Sequence, residues 1–91
     1  MKKIYIVTYD LSNPGRNYES LLKKIKTFSA WARLGGSAYL LITEQTSVQL
    51  RDFLTPALDI NDKLYVGRLS NEAAWQGLGE GVSNWIKNNQ N

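Results

Sequence analysis

The sequence contains no cysteine and no histidine, and only two prolines and one methionine. Without cysteine, the chain has neither a disulfide nor a thiolate metal site. Without histidine, it lacks the commonest general base, the commonest transition-metal ligand and every catalytic triad built on imidazole. Any catalysis would therefore depend on carboxylates, hydroxyls, lysine or a hard cation such as magnesium bound by oxygen ligands.

The sequence also lacks a long hydrophobic run and a strong excess of one charge. No apolar stretch is long enough to span a membrane, and the opening Met1-Lys2-Lys3 leads into too few apolar residues for a signal peptide. We therefore expect a cytoplasmic protein with no membrane partner. The formal charge of +3, from 11 basic and 8 acidic residues, permits nucleic-acid binding without requiring it.

Three segments rich in β-branched and aromatic residues predict strands at the start, middle and end of the first 69 residues. In Lys3–Tyr9, both alternating sets of side chains are apolar or amphipathic, which is typical of a central strand covered on both faces. Ser37–Thr43 and Lys63–Leu69 have the same composition. Asp10 then begins a turn that ends the first strand.

The short run Ala30–Leu34 precedes Gly35-Gly36, and together with Ser37–Thr43 it predicts a β-hairpin. The alternative is that Trp31 extends the preceding helix. Under the first interpretation the hairpin supplies the second and third strands.

Two segments have the apolar spacing of amphipathic helices. The first begins with Asn17 as its N-cap and ends near Thr27 or Phe28. The second is capped by Ser47 and ends or bends at Pro56. The resulting order, strand-helix-strand-strand-helix-strand, predicts an α+β, ferredoxin-like βαββαβ sandwich over residues 1–69. Residues 70–91 then form a C-terminal helical extension that docks on this domain through its two tryptophans.

Two helices can cover only one face of such a four-stranded sheet. Because the first strand is apolar on both sides, we predict that a second copy of the chain packs on the other face, as a homodimer. The alternative is a solvent-exposed, tyrosine-rich surface that includes Tyr39 and Tyr65. Exposed aromatics on a four-stranded sheet also suggest RNA-recognition modules, but the glycine-rich aromatic motif of their third strand is missing.

Several stretches of the sequence resemble a known group of proteins. They are YIVTYDLSNPGRNYESLLKKIK near the start, Trp31 with Gly36-Ser37-Ala38-Tyr39, and the segment from Leu54-Thr55-Pro56 to Asp59-Ile60-Asn61-Asp62-Lys63-Leu64. These residues resemble short bacterial and phage proteins often labelled the SinR family. That group is similar to the CRISPR-associated endoribonucleases known as Cas-two, and the broader set includes VapD-type ribonuclease toxins.

The resemblance implies a ferredoxin-like fold, a homodimer formed through the sheets, and a divalent metal near the two-fold axis at the aspartate that matches Asp10. It equally implies a DNA-binding scaffold without nuclease chemistry. The chain departs from the CRISPR pattern in two ways. Its loop carries a single basic residue, Arg16, and its C-terminus has helical, Trp-rich character in place of a partner-swapped fifth strand.

Asp10 is the candidate catalytic and metal-binding residue. A carboxylate at a strand end, beside a glycine-containing loop, can bind magnesium and so activate water for phosphodiester cleavage, above all if a two-fold axis brings its partner close. In the alternative interpretation, Asp10 caps the loop by accepting hydrogen bonds from the backbone of Ser12 or Asn13.

The candidate nucleic-acid-binding residues are Ser12, Arg16, Lys23 and Arg33. Arg16, supported by the Ser12 hydroxyl, would contact phosphate, and the lysines of the first helix would lie along a nucleic-acid backbone. Alternatively, Ser12 and Arg16 are turn residues, Lys23 belongs to a solvated helix face, and Arg33 is a cation that keeps an edge strand soluble. The sequence thus predicts a dimeric magnesium-dependent nuclease acting on RNA or DNA, or a non-catalytic nucleic-acid-binding or protein-interaction module.

Overall fold

A computed structural model describes residues 2–12, 18–70 and 72–89, and the predicted contacts of Arg16, the Asn17 cap and Asn13 lie outside this part. In these ranges the chain is an α+β fold of one four-stranded antiparallel sheet and three α-helices. The elements are β1 (Lys3–Asp10), α1 (Glu19–Lys26), β2 (Ala30–Gly35), β3 (Ala38–Thr43), α2 (Ser47–Leu54), a 3₁₀ turn (Thr55–Ala57), β4 (Lys63–Arg68) and α3 (Glu80–Asn89).

The strand order in the sheet is β2-β3-β1-β4, and all neighbours are antiparallel. Strand β1 is central, as its two apolar faces predict. Its residue Val7 lies opposite Tyr39 of β3 on one side and opposite Val66 of β4 on the other. Since β1 and β2 both run antiparallel to β3, they are parallel to each other, and their carboxyl ends lie at the same end of the sheet.

The two predicted helices pack on one face of the sheet. The buried core there consists of odd-numbered side chains of β1 and β3 and the apolar stripes of α1 and α2, with Ala57 from the 3₁₀ turn; its members are Tyr5, Val7, Tyr18, Leu21, Ile25, Tyr39, Leu41, Leu50, Leu54 and Ala57. The Tyr5 hydroxyl donates a hydrogen bond of 2.8 Å to the backbone oxygen of Gln45, so this buried phenol is satisfied.

The opposite face packs against the C-terminal segment of the same chain, residues 72–89. Ile4 and Ile6 of β1 line one side of an apolar cavity whose other side is formed by Trp85 and Ile86 of α3. The chain itself thus covers part of the face predicted to receive a second copy. Nothing in the described residues requires a dimer to bury Ile4 and Ile6, because α3 already lies over them.

Local chemistry explains where the elements begin and end. The N-cap of α2 is Thr46 rather than Ser47: its hydroxyl accepts a hydrogen bond from the Gln49 amide, and the Gln49 side chain accepts one from the Thr46 amide. The prediction for Ser47 was wrong because a capping box needs Gln three residues after the cap. Gly36, with φ of +44°, allows the tight β2–β3 turn, and Trp31 lies in β2 rather than in α1.

Two further boundaries differ from the sequence predictions. Strand β1 includes Asp10, and helix α1 ends at Lys26, where Thr27 caps it by hydrogen bonding back to the Lys24 carbonyl. Helix α3 continues to Asn89. Within the described residues, no helix has both the length and the apolar character to cross a membrane.

Candidate functional site

Three of the predicted site residues lie at the end of the sheet where β1 and β2 reach their carboxyl ends. Asp10 is the last residue of β1, Ser12 follows it, and Arg33 lies two residues before the end of β2. Lys23 is separate from them, exposed in the second half of α1. The structure therefore groups Asp10, Ser12 and Arg33 at one end of the sheet. The predicted contacts of Arg16 lie outside the described residues.

Asp10 is exposed and lies directly opposite Lys63 in the register between β1 and β4. Directly opposite side chains in an antiparallel pair approach within about 5 Å at their Cβ atoms, so a cationic side chain neighbours this carboxylate. No group of three or more acidic residues that could hold a metal ion occurs in the described ranges. Magnesium prefers several oxygen ligands, and its binding at Asp10 stays a prediction.

Asp62, which precedes β4, holds the loop that follows β1. Its Oδ1 accepts hydrogen bonds from the Ser12 amide at 2.7 Å, the Ser12 hydroxyl at 2.9 Å and the Tyr18 hydroxyl at 3.1 Å. Its Oδ2 accepts a 2.7 Å hydrogen bond from the Asp59 amide. The Ser12 amide thus donates to Asp62. The other part of the loop-capping interpretation of Asp10, a hydrogen bond from the backbone of Asn13, lies outside the described residues.

These hydrogen bonds determine the charge state of Asp62. Partial removal from water acts to raise the pKa of its carboxyl, but the two amide and two hydroxyl hydrogen bonds outweigh that effect and lower the pKa to about 2. An ionised carboxylate only accepts hydrogen bonds, and the Asp62 carboxylate accepts four of them. We therefore assign Asp62 a positioning role: it fixes the loop between β1 and α1 at Ser12 and the start of α1 at Tyr18.

We expect Asp62→Asn to lower the stability of the protein at pH 7, because the amide nitrogen cannot accept the hydrogen bonds that one carboxylate oxygen now receives. The folded pKa lies below the ordinary value near 3.8, so the stabilisation is present above about pH 4 and is lost as the pH falls towards 2. Urea unfolding at pH 7, 4 and 2.5 should therefore show a smaller pH dependence in the variant than in the wild type.

The control for this change is Asp52→Asn, which alters the same functional group at an exposed position. Asp52 pairs only with the adjacent Arg51, at 3.0 Å on the surface of α2. Such a pair contributes little to stability, so this variant should follow the wild-type pH profile. Equal pH profiles for wild type and Asp62→Asn would contradict the positioning role.

A basic and aromatic surface lies along β2 and the last turns of α1. Trp31 of β2 is 36% exposed, and its ring packs at a tilted angle on the nearly buried Tyr39, with centroids 6.1 Å apart. The Lys26 ammonium lies over the Trp31 ring, 5.3 Å from its centroid, which is within cation–π distance. Lys23 lies three residues before Lys26 in α1, so the two side chains are neighbours on the helix surface. We call Lys23, Lys26, Trp31 and Arg33 the basic edge.

Arg33 is held in place at the end of this edge. Its Nη2 donates a 3.2 Å hydrogen bond to the Gly36 carbonyl in the β2–β3 turn. Burial and then the neighbouring Tyr39 raise the pKa of the Tyr9 hydroxyl, and the Arg33 charge partly offsets them. This coupling indicates that Arg33 faces the helix-covered side of the sheet near Tyr9, so its charge is on the same face as Trp31.

The three lysines of α1 have different surroundings. The Lys24 ammonium donates a 2.8 Å hydrogen bond to the Phe53 carbonyl and lies 5.0 Å from the centroid of that ring, so Lys24 connects α1 to α2. Lys26 lies over Trp31, and Lys23 is exposed. Of the lysine run considered as a phosphate-binding row, Lys23 and Lys26 are therefore the pair at the surface that a ligand can use.

Lys26 was predicted only as one of the helix lysines along a nucleic-acid backbone, and Trp31 was not predicted for the site. The signal that identifies them is the distribution of charge along the sequence: no aspartate or glutamate occurs between Glu19 and Glu44. That acid-free interval contains four cations, Lys23, Lys24, Lys26 and Arg33, and it includes the part of α1 after Glu19 and the whole of β2 and β3. The excess positive charge of the protein is therefore concentrated around Trp31.

Comparison with known proteins assigns no family to the chain. No protein-family model matches the sequence, and no solved structure matches the chain. The likeness to SinR-family and Cas-two proteins consequently stays a prediction carried by the residues quoted for it.

Proposed function

We propose that this protein binds single-stranded nucleic acid along the basic edge. The observation that carries the proposal is the combination of a part-exposed Trp31, packed at a tilted angle against Tyr39, with the cations of Lys26 and Arg33 on the same face. Proteins that bind single strands combine aromatic rings on which bases stack with cations that follow the phosphates. The acid-free interval around Trp31 supports the proposal, because β2, β3 and the part of α1 after Glu19 contribute no carboxylate that would repel the nucleic-acid backbone.

The position of β2 in the sheet suits this role. It is an edge strand, so one side of Trp31 and Arg33 borders solvent rather than another strand. Tyr39 supports the Trp31 ring from below and is itself held in the core, so little side-chain freedom would be lost on stacking.

We further propose that the topology is ferredoxin-like and that the protein acts in the cytoplasm. The strand order β2-β3-β1-β4, with α1 and α2 on one face, supports the topology. A homodimer formed through the opposite face also stays a proposal. It would use the part of that face around Thr8 and Tyr65, because Tyr65 is 63% exposed there.

Fluorescence anisotropy with a labelled uridine oligonucleotide and a matching thymidine oligonucleotide tests the proposal. We expect binding whose logarithm falls with the logarithm of salt concentration at a slope of about −2 to −3, as for three or four phosphate contacts. That slope corresponds to about 15- to 60-fold weaker binding between 50 and 200 mM salt. The double variant Lys23→Gln/Arg33→Gln should reduce the slope by about 1.4.

The matched control is Arg51→Gln, which removes one exposed cation from α2, outside the basic edge. It should reproduce the wild-type slope. The absence of binding to both oligonucleotides at 50 mM salt would overturn the proposal and favour a protein-interaction role.

Nuclease activity that depends on Asp10 is the second candidate. It is favoured by the exposed position of Asp10 at the end of β1, the place that the resemblance assigns to the nuclease aspartate. The same oligonucleotides, incubated with magnesium and with wild type or Asp10→Asn, decide between the two candidates. Cleavage by the wild type alone would support the nuclease. Binding without cleavage, unchanged by Asp10→Asn, would support the binding module.

A further inference from the structure

An apolar cavity of about 140 Å³ lies between the sheet and the C-terminal segment, on the face away from α1 and α2. Ile4, Ile6 and Leu40 form its floor, and Trp75, Leu78 and Trp85 form the wall opposite. None of these residues belongs to the basic edge. The cavity is therefore a second feature of the molecule, separate from the proposed nucleic-acid site.

The lining of the cavity defines the chemistry of a ligand. Among the described residues that line it, none is charged, and the Ser70 hydroxyl is the single polar side chain apart from the indole nitrogens. The Trp75 indole N–H already donates a 2.9 Å hydrogen bond to Ser83 Oγ, so it is satisfied within the segment. An ion would lose its hydration here without compensation, and water would find few hydrogen-bonding partners.

The size and walls of the cavity favour an aromatic ligand. An apolar cavity of about 150 Å³ is sufficient to bind benzene in an otherwise ordinary protein core. The hydrogen bond to Ser83 holds the Trp75 ring in a fixed orientation, and Trp85 presents a second ring to the same space. Aromatic pairs gain free energy beyond the burial of their area. We propose that this cavity binds a small, neutral, single-ring aromatic molecule.

Toluene is the probe for the full-length protein, with benzoate as the charged molecule of the same ring size. The indole N–H signals of the three tryptophans provide an internal control in nitrogen-15 NMR spectra. Toluene should shift the signals of Trp75 and Trp85 and leave that of Trp31 unchanged. We expect a Kd of about 1 mM or tighter for so small an apolar ligand, and a rise in Tm of about 2 °C or more at a toluene concentration equal to the Kd.

Two substitutions test the location of the site. Ile6→Phe adds a ring at the floor, and Ala74→Leu adds bulk at the mouth, so each should weaken toluene binding at least 10-fold. Should one of them fail to fold, the other provides the test. Toluene binding that is unchanged in a folded variant, that benzoate matches, or that shifts Trp31 instead would overturn the proposal. The absence of binding in toluene-saturated buffer would also overturn it, and would mean a packing void without a ligand.

Discussion

Replacing Trp31 with alanine is expected to weaken binding of a single-stranded oligonucleotide about 10- to 100-fold, because one base loses its stacking partner. Trp31 is the part-exposed aromatic of the basic edge, and its ring is oriented by Tyr39 beneath it and by the Lys26 ammonium over it. Trp31→Phe should recover most of the affinity, since phenylalanine keeps an aromatic face of smaller area.

Anisotropy titrations at one salt concentration measure this effect, and Trp85→Phe is the control. Trp85 lies on the other face, where it lines the apolar cavity, so its substitution should leave oligonucleotide affinity within a factor of two of wild type. The salt slope should be nearly unchanged in Trp31→Ala, because no phosphate contact is removed. Wild-type affinity in Trp31→Ala would separate Trp31 from binding and leave a purely electrostatic surface.

The largest effect on stability is expected from Leu41→Ala. Leu41 is fully buried in β3, lies opposite Tyr5 in β1 and Trp31 in β2, and belongs to the core between the sheet and the helices. Its truncation should lower the free energy of unfolding by about 3 kcal/mol, in the range of buried leucine-to-alanine changes. In a domain of this size, that corresponds to a fall in Tm of about 12 °C or more.

Urea and thermal unfolding followed by circular dichroism provide the measurement. Val48→Ala is the control, since Val48 is more than half exposed on α2 and its truncation should change stability by no more than about 0.5 kcal/mol. A loss below 1 kcal/mol in Leu41→Ala would contradict a single core on the helix-covered face of the sheet.

Most strands and helices could be predicted because their side chains alternate or recur at a period that depends only on neighbouring residues. The two apolar faces of Lys3–Tyr9 correctly predicted a central strand, and Gly35-Gly36 correctly predicted the β2–β3 turn. Periodicity does not identify what covers an apolar face. Part of the face for which a second copy is predicted packs against Trp85 and Ile86 of the same chain, and the homodimer itself stays a proposal.

The candidate site was predictable only where it is local. Asp10 and Arg33 could be placed at strand ends from composition and turn chemistry. The role of Asp62 could not, because its partners Ser12 and Tyr18 are 50 and 44 positions away in the chain. The sequence indicates only that Asp62 belongs to a turn; the hydrogen bonds that join this turn to the loop after β1 exist only once β1 and β4 are side by side.

The sheet order also has a consequence for the kinetics of folding. The first strand of the chain lies in the middle of the sheet, between β3 and β4, and β2 with β3 is the one strand pair joined by a tight turn. The central pairings must therefore form by closing long loops, and this entropic cost precedes the gain from burying Val7 or Leu41. We expect the β2–β3 hairpin and the helices to form early, and the rate-limiting barrier to be the insertion of β1 beside them.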